Sequence, residues 1–330
     1  MKVKILFIVC LVVMFIGGFN STVQPQVKGY PNKPIQIIVT LAAGVGFDAV
    51  FRMIADEQRK TWKVPINILN KPGAGGVPGC EEVAKAEKDG SVLLASLILT
   101  PGALTVIDPK GSVNIFRDYD PIFLNYAYNS VLLFCRSDSE FKSLRDVITY
   151  AKKKPGELIV ATARAGTYLY LAAELLKREA KIDITILPFD KGPAETIPNV
   201  LGGHCHLGIA TDNTAYPHIQ AGRLRGLALD AKSIVLPDIP TYADRGYPVV
   251  SKIPPTYGLF GPKGMPPEVI KTWEKAMEAF LKDPTFVDTM TKKFKYNLNM
   301  IMGTEKLNAF LKEEVERYSR FSAEELGYKK

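Results

Sequence analysis

Apolar positions along this chain come in short runs, separated by segments in which they recur every three or four residues. The runs lie at 35–40 (IQIIVT), 66–69, 90–98 (GSVLLASLI), 121–127, 129–136, 157–163, 183–189, 206–211 and 224–229. They are rich in Val, Ile and Leu, and most are bounded by Gly, Pro, Asn or Asp, which predicts buried strands. Between several of them the period lengthens, and one face of a helix becomes apolar. Helices are expected near 48–61, 80–87, 143–154 and 167–179. Ser143 supplies a starting cap for the third of these, and Pro155-Gly156 stops it. The stretch 267–325 reads as helical, apart from breaks near Asp283-Pro284 and Gly303-Thr304. Strands alternating with helices predict an α/β protein with open, mostly parallel sheets and flanking helices.

One unit occurs twice. IVTLAAGVGFDAVFRMIA and IVATARAGTYLYLAAELL are both strand, glycine-containing loop and amphipathic helix. The start of a helix presents unpaired N–H groups and a partial positive charge, so either loop suits a phosphate or a carboxylate. Two such loops facing one cleft would bring two helix N-termini to one anion, and no nucleophile is needed for that.

In the first unit Gly44-x-Gly46-x-x-Ala49 has the spacing of a dinucleotide fingerprint. Such a site wants Asp or Glu about 20 residues on, at the end of the second strand. Here that strand ends at Asn70-Lys71. Export weighs against NAD as well. Lys2 and Lys4 precede an apolar run at 5–16, then Gly17-Gly18 and a polar stretch. Residues 1–22 read as a signal peptide or, with no clean A-x-A site, an uncleaved N-terminal anchor. The protein is therefore expected in the periplasm or otherwise outside the cytoplasm.

The 330 residues are 47% hydrophobic and 23% charged, enough for two domains. The net charge of +8 comes from scattered Lys and Arg, so no basic face points to nucleic acid. After the leader, Cys80, Cys135 and Cys205 have no zinc spacing, and the sequence does not choose a disulfide pair among them. His204 and His206 share a strand face but lack a third ligand, so no metal is assigned. No G-x-S-x-G or H-E-x-x-H motif occurs, and no cofactor or catalytic residue is assigned. An exported, hydrolase-like enzyme acting on a small anion is the alternative reading.

Several blocks then occur in one order over nearly the whole mature length: YPNKPIQIIV, NKPGAGG, DYDPI, KSLRDVITYAKKKPGEL, LGG, LPDIPTYADRGYP and GLFGPKGMPPEVI. In these blocks the chain resembles the Bug family, the periplasmic solute-binding proteins of tripartite tricarboxylate transporters. The resemblance implies a two-lobed, type II periplasmic-binding-protein-like fold that closes on a small carboxylate. It implies lobe one at 30–128 plus 252–330 and lobe two at 129–251. It also implies delivery of the ligand to a tripartite tricarboxylate-type membrane permease, with no chemistry. The protein is expected to act as a monomer.

The family's first ligand loop reads roughly P-F-A-P-G-G-G-T-D, and the matching segment here is 40–48. Gly44, Gly46 and Asp48 are kept, while Val45 and Phe47 exchange a glycine and a threonine for an aliphatic chain and a ring. The second family loop, roughly A-S-A-G-N-G-S-T-S-H-L-A, aligns with 161–172. Gly166 and Thr167 match, Arg164 stands where glycine is common, and Tyr168 and Tyr170 replace small or polar residues. The expected ligand set is thus Gly44, Val45, Gly46, Phe47 and Asp48 from one loop and Arg164, Ala165, Gly166, Thr167 and Tyr168 from the other. Ser96 and the pair Asp212-Asn213, which follow strands, are added. Each has a plainer role open to it: Asp48 and Thr167 as helix caps, Phe47 and Tyr168 as packing, Asp212-Asn213 as a turn, Arg164 as a solvated cation.

Overall fold

The computed structural model describes residues 29–328 except Val45 and Ile253, so the leader at 1–22 lies outside the described residues. The strands are β1 (Ile35–Val39), β2 (Ile66–Asn70), β3 (Val92–Leu97), β4 (Tyr119–Asn125), β5 (Val131–Arg136), β6 (Ile159–Ala163), β7 (Thr185–Phe189), β8 (Leu207–Thr211), β9 (Leu224–Leu229), β10 (Tyr257–Pro262) and β11 (Met300–Ile301). The α-helices are α1 (Asp48–Trp62), α2 (Val77–Ala84), α3 (Leu99–Ile107), α4 (Ile115–Asp118), α5 (Leu144–Lys153), α6 (Tyr168–Glu179), α7 (Pro193–Leu201), α8 (Asp212–Gln220), α9 (Pro267–Lys282), α10 (Pro284–Asp288) and α11 (Thr304–Tyr318).

The strands form two sheets, in the orders β11-β4-β10-β3-β1-β2 and β7-β6-β8-β5-β9. β1 lies parallel between β2 and β3, and β6 lies parallel between β7 and β8. The chain passes from the first sheet to the second after β4 and returns after β9. The first strand after each passage, β5 and β10, runs antiparallel to both of its neighbours. The fold is thus two mixed α/β units joined twice, with the carboxyl ends of β1 and β6 each opening into a loop and a helix.

The amphipathic pattern explains the helices that were expected. α5 buries Leu144, Val147, Ile148 and Ala151 on one face, and Ser143 Oγ accepts from the Asp146 N–H. Four further helices were not expected: the single turn of α4, capped by Asn114, and α3, α7 and α8. α3 carries Pro101-Gly102 in its first turns, where a proline is tolerated, although the pair reads as a turn. α7 and α8 contain interior prolines, Pro198 and Pro217, which read as breaks. β10 also escaped notice. It is buried throughout, so it shows no alternation. Its Gly258 lets β4 approach; a Cβ there would lie 2.7 Å from the Phe123 carbonyl oxygen. β11 interrupts the C-terminal stretch read as helix and pairs at Met300 with Asn125 of β4.

The apolar interior does not stop at the boundary between the units. One cluster joins Leu99, Tyr318 and Phe321 from the first unit and the C-terminal segment to Tyr168, Leu169 and Ala172 from the second. Cys80, Cys135 and Cys205 are buried as free thiols, so none of them pairs with another.

Candidate functional site

A cavity of about 520 Å³ lies between the two units. Thr40, Leu41 and Ala42 line it from the loop after β1, and Leu97 and Thr100 from the end of β3 and the start of α3. Arg164, Gly166, Thr167, Tyr168 and Leu169 line it from the loop after β6 and the start of α6. Asp190 and Thr211 come from the ends of β7 and β8, and Tyr128 and Asn129 from the first crossing. Another groove, about 450 Å³, lies between α1 and α9 but takes residues from the first unit alone. Unlike that groove, the cleft presents helix starts and strand ends from both halves.

The second loop is organised around Thr167, the N-cap of α6. Its Oγ1 accepts from the Tyr170 N–H at 3.2 Å and donates to the Arg164 carbonyl at 2.8 Å. The amides of Tyr168 and Leu169, in the first helical turn, have no intrahelical acceptor. Both residues line the cavity, so the positive end of α6 faces it. Arg164 is exposed at the cavity wall, and its guanidinium makes no hydrogen bond or ion pair with any described residue. Tyr168 is packed between the units, its hydroxyl 3.3 Å from that of Tyr318.

The C-terminal segment holds this loop from the other side. The Gly166 N–H donates to the Glu325 carbonyl at 3.0 Å. Gly166 has φ +79°, and a Cβ on it would lie 2.7 Å from the Leu326 carbonyl oxygen. Arg178 of α6 donates to the Arg320 carbonyl at 2.7 Å, pairs with Glu325 and lies over the Phe321 ring. A second pocket, about 500 Å³, opens beside the cleft, where Ala165 and Arg164 meet Leu326, Gly327 and Tyr328.

The first loop is arranged differently from expectation. Asp48 is fully buried, and its carboxylate accepts from the Gly44 N–H (2.7 Å), Arg52 Nε (2.8 Å) and Asn70 Nδ2 (2.7 Å). Burial pushes its pKa up, but the bonds from Arg52, Asn70 and Gly44 together hold it below the usual carboxylate range. Asp48 therefore folds the loop back on its own helix. Phe47 is also fully buried and stacks on Tyr257 at 5.0 Å between ring centroids. The Gly46 carbonyl accepts from the Tyr296 hydroxyl at 3.0 Å. Gly44, Gly46, Phe47 and Asp48 do not line the cavity; the residues that do, Thr40 to Ala42, come a few positions earlier. Val45 lies outside the described residues.

Ser96 is likewise buried behind the cleft wall, where it accepts from Thr40 Oγ1 at 3.0 Å and donates to the Leu97 carbonyl. Asp212 is buried and serves the protein. It accepts from the N–H groups of Ser130 and Asn213, and from Ser233 Oγ at 2.6 Å. Asn213 sits in the first turn of α8, away from the cavity wall. Of the expected set, Arg164, Gly166, Thr167 and Tyr168 share the cleft, Ala165 lines the adjoining pocket, and the others form supports.

Sequence reasoning missed Thr40, Thr100, Tyr128, Asp190, Thr211 and the C-terminal segment. A signal existed for three of them. Ligand crevices in open α/β sheets lie outside the carboxyl ends of the strands. Thr40 follows β1, Asp190 follows β7 and Thr211 ends β8.

Residues 50–327 match the model of the tripartite tricarboxylate transporter family receptor. Protein BugT of Bordetella pertussis is 27% identical over 312 residues, 93% of each chain. Among solved structures, periplasmic binding protein BugD is 26% identical with a TM-score of 0.68, covering 91% of this chain and 99% of that one. MatC from Rhodopseudomonas palustris, solved with bound malate, is 27% identical with a TM-score of 0.68, covering 88% and 99%. The family match begins inside α1 and takes in both crossings, the C-terminal segment and every strand except β1, and the chain belongs to the tripartite tricarboxylate transporter family of receptors.

Proposed function

We propose that this protein is an extracytoplasmic solute-binding protein that captures a small carboxylate in the cleft between its two units. It delivers that ligand to a tripartite tricarboxylate-type membrane permease and leaves it chemically unchanged. The observation that carries the reading is the conjunction at the second loop. The positive end of α6 and the unpaired Arg164 guanidinium converge on one cavity walled by both units. Amides at a helix start take one carboxylate group, and a guanidinium takes a second by a charge-assisted, often bidentate bond. MatC, which binds malate in its solved structure, supports the same ligand class.

The binding residues in this reading are Arg164, Gly166, Thr167 and Tyr168, joined by Thr40 and Thr211. Closure brings lobe one, 30–128 with 252–330, towards lobe two, 129–251, about the two crossings. The receptor works as a monomer, and residues 1–22 export it. No helix among the described residues is long and apolar enough to cross a membrane. A fusion of residues 1–30 to a reporter active only outside the cytoplasm checks the export step, and an inactive fusion contradicts it.

The test of binding is a thermal-shift screen. A ligand that binds only the folded state stabilises it by about 2.7 kcal/mol at 100 times its Kd. At roughly 2–4 °C per kcal/mol, the melting point rises by about 5–11 °C. Mono-, di- or aromatic carboxylates should produce this rise, and sugars and NAD should not.

A further inference from the structure

We propose that the ligand carries an ammonium group beside its carboxylate, held by Asp190 next to the carboxylate held by Arg164. This rests on the receptor reading above and narrows its ligand class. β6 and β7 are parallel neighbours in which Ala163 is registered with Phe189. Arg164 and Asp190 are the next residue on each strand, so a cation and an anion stand side by side at the edge of the cavity. They do not pair with each other, and neither side chain pairs with any other described residue. A ligand that is a carboxylate alone satisfies the arginine and leaves the aspartate facing a like charge.

The threonines point the same way. Thr40 Oγ1 donates to Ser96 Oγ, whose own proton goes to the Leu97 carbonyl. Thr100 Oγ1 donates to the Gly75 carbonyl, and Thr167 Oγ1 to the Arg164 carbonyl. Thr214 Oγ1 donates to the Thr211 carbonyl, which leaves Thr211 Oγ1 as the donor in the bond between the two hydroxyls. Each cavity threonine therefore has its proton engaged within the protein and offers a ligand only lone pairs. A carboxylate has no proton to give them. An ammonium has three, and a net positive charge for Asp190.

The test uses the full mature protein and two ligand pairs matched in skeleton: succinate with aspartate, and glutarate with glutamate. 2-Hydroxysuccinate serves as the donor without charge. Binding is titrated by calorimetry to wild type and to Asp190→Asn, which keeps the shape and removes the charge. In wild type the amino member of at least one pair should bind at least about tenfold tighter than its parent, since hydrogen bonds to charged groups are the strong ones. The hydroxy compound should fall between. Asp190→Asn should weaken the amino ligand by about tenfold and leave the parent equal or tighter, a crossing that a merely structural role cannot produce. Parents that bind as well as their amino partners, or an equal loss for both in Asp190→Asn, overturn this inference and leave the receptor reading standing. If none of these ligands, nor any other carboxylate, binds, both are overturned.

Discussion

Arg164 and Asp48 are both charged residues where a loop meets a helix, and their surroundings are opposite: Asp48 is buried against three donors, whereas Arg164 is exposed at the cavity wall. Arg164 touches no acceptor among the described residues, so Arg164→Ala should leave the melting point nearly unchanged, as surface substitutions do. It should weaken carboxylate binding by about 1.5–3 kcal/mol, roughly 10- to 150-fold in Kd. Titrating a dicarboxylate and its monocarboxylate analogue against wild type and variant locates the contact: the dicarboxylate should lose more. Asp48→Ala should do the reverse and cost about 1.5–3 kcal/mol of stability through the bonds to Arg52, Gly44 and Asn70. Because the folded pKa of Asp48 is depressed, its contribution is present above the ordinary value of 3.8 and is lost as pH falls through the folded value. Urea unfolding at pH 6 and pH 3 should therefore show the Asp48→Ala penalty shrinking at the lower pH. The sequence left a cap and a ligand contact open for Asp48, because a loop carboxylate looks alike in both. Burial and three donors, none of them a free amide of the helix start, give it a different part in closing the loop, and those belong to tertiary structure. Phe47 illustrates the same limit: a ring in a cleft loop reads equally as lining or as packing until Tyr257, 210 positions later in the chain, is found stacked on it.

At the scale of elements, α11 and the segment after it fasten the two units together. Glu314 is fully buried on α11, facing Arg317 and Tyr318 of its own helix, with Tyr126 and Tyr168 close by. Arg317 also donates to the Lys252 carbonyl, where the chain re-enters the first unit. Burial pushes the Glu314 carboxyl up to about 7, against the attraction of Arg317. The folded state thus holds this proton more tightly than the unfolded chain, whose carboxyl titrates near 4.5. The contribution is complete below 4.5 and is lost as pH rises to about 7, at most about 3 kcal/mol. Glu314→Gln should flatten that decline in a pH series of chemical unfolding; an unchanged slope contradicts the assignment. The C-terminal contact has its own test. Gly166→Ala forces a Cβ at φ +79° against the Leu326 carbonyl, and should cost at least about 1 kcal/mol and lower the melting point. The same substitution at Gly44, whose Cβ would meet nothing within 4 Å, shares only the backbone strain and should cost less. Strands with clear apolar runs and helices with regular caps were legible in sequence. α7 and α8 were hidden by interior prolines, and β10 by burial on both faces, because local pattern is weakest where the surroundings hold the element in place.

At the scale of the molecule, the repeated strand–loop–helix unit pointed to two helix starts facing one cleft, and one of the two lies at its wall. α6 presents its start to the cleft, whereas the α1 loop closes on Asp48 and leaves the preceding residues at the wall. The two-sheet architecture was readable through the ordered family blocks. Which strand ends converge was not, because that depends on how the two crossings set one sheet against the other. The function proposed for the molecule requires that the cleft bind a carboxylate and not alter it. The most direct measurement is a calorimetric titration of the purified mature protein with the carboxylate that most raises its melting point, followed by proton NMR of the ligand recovered afterwards. Binding should be saturable at one ligand per chain and weakened by Arg164→Ala, with the ligand recovered unchanged. Absence of binding by every carboxylate, or recovery of a chemically altered ligand, would contradict it.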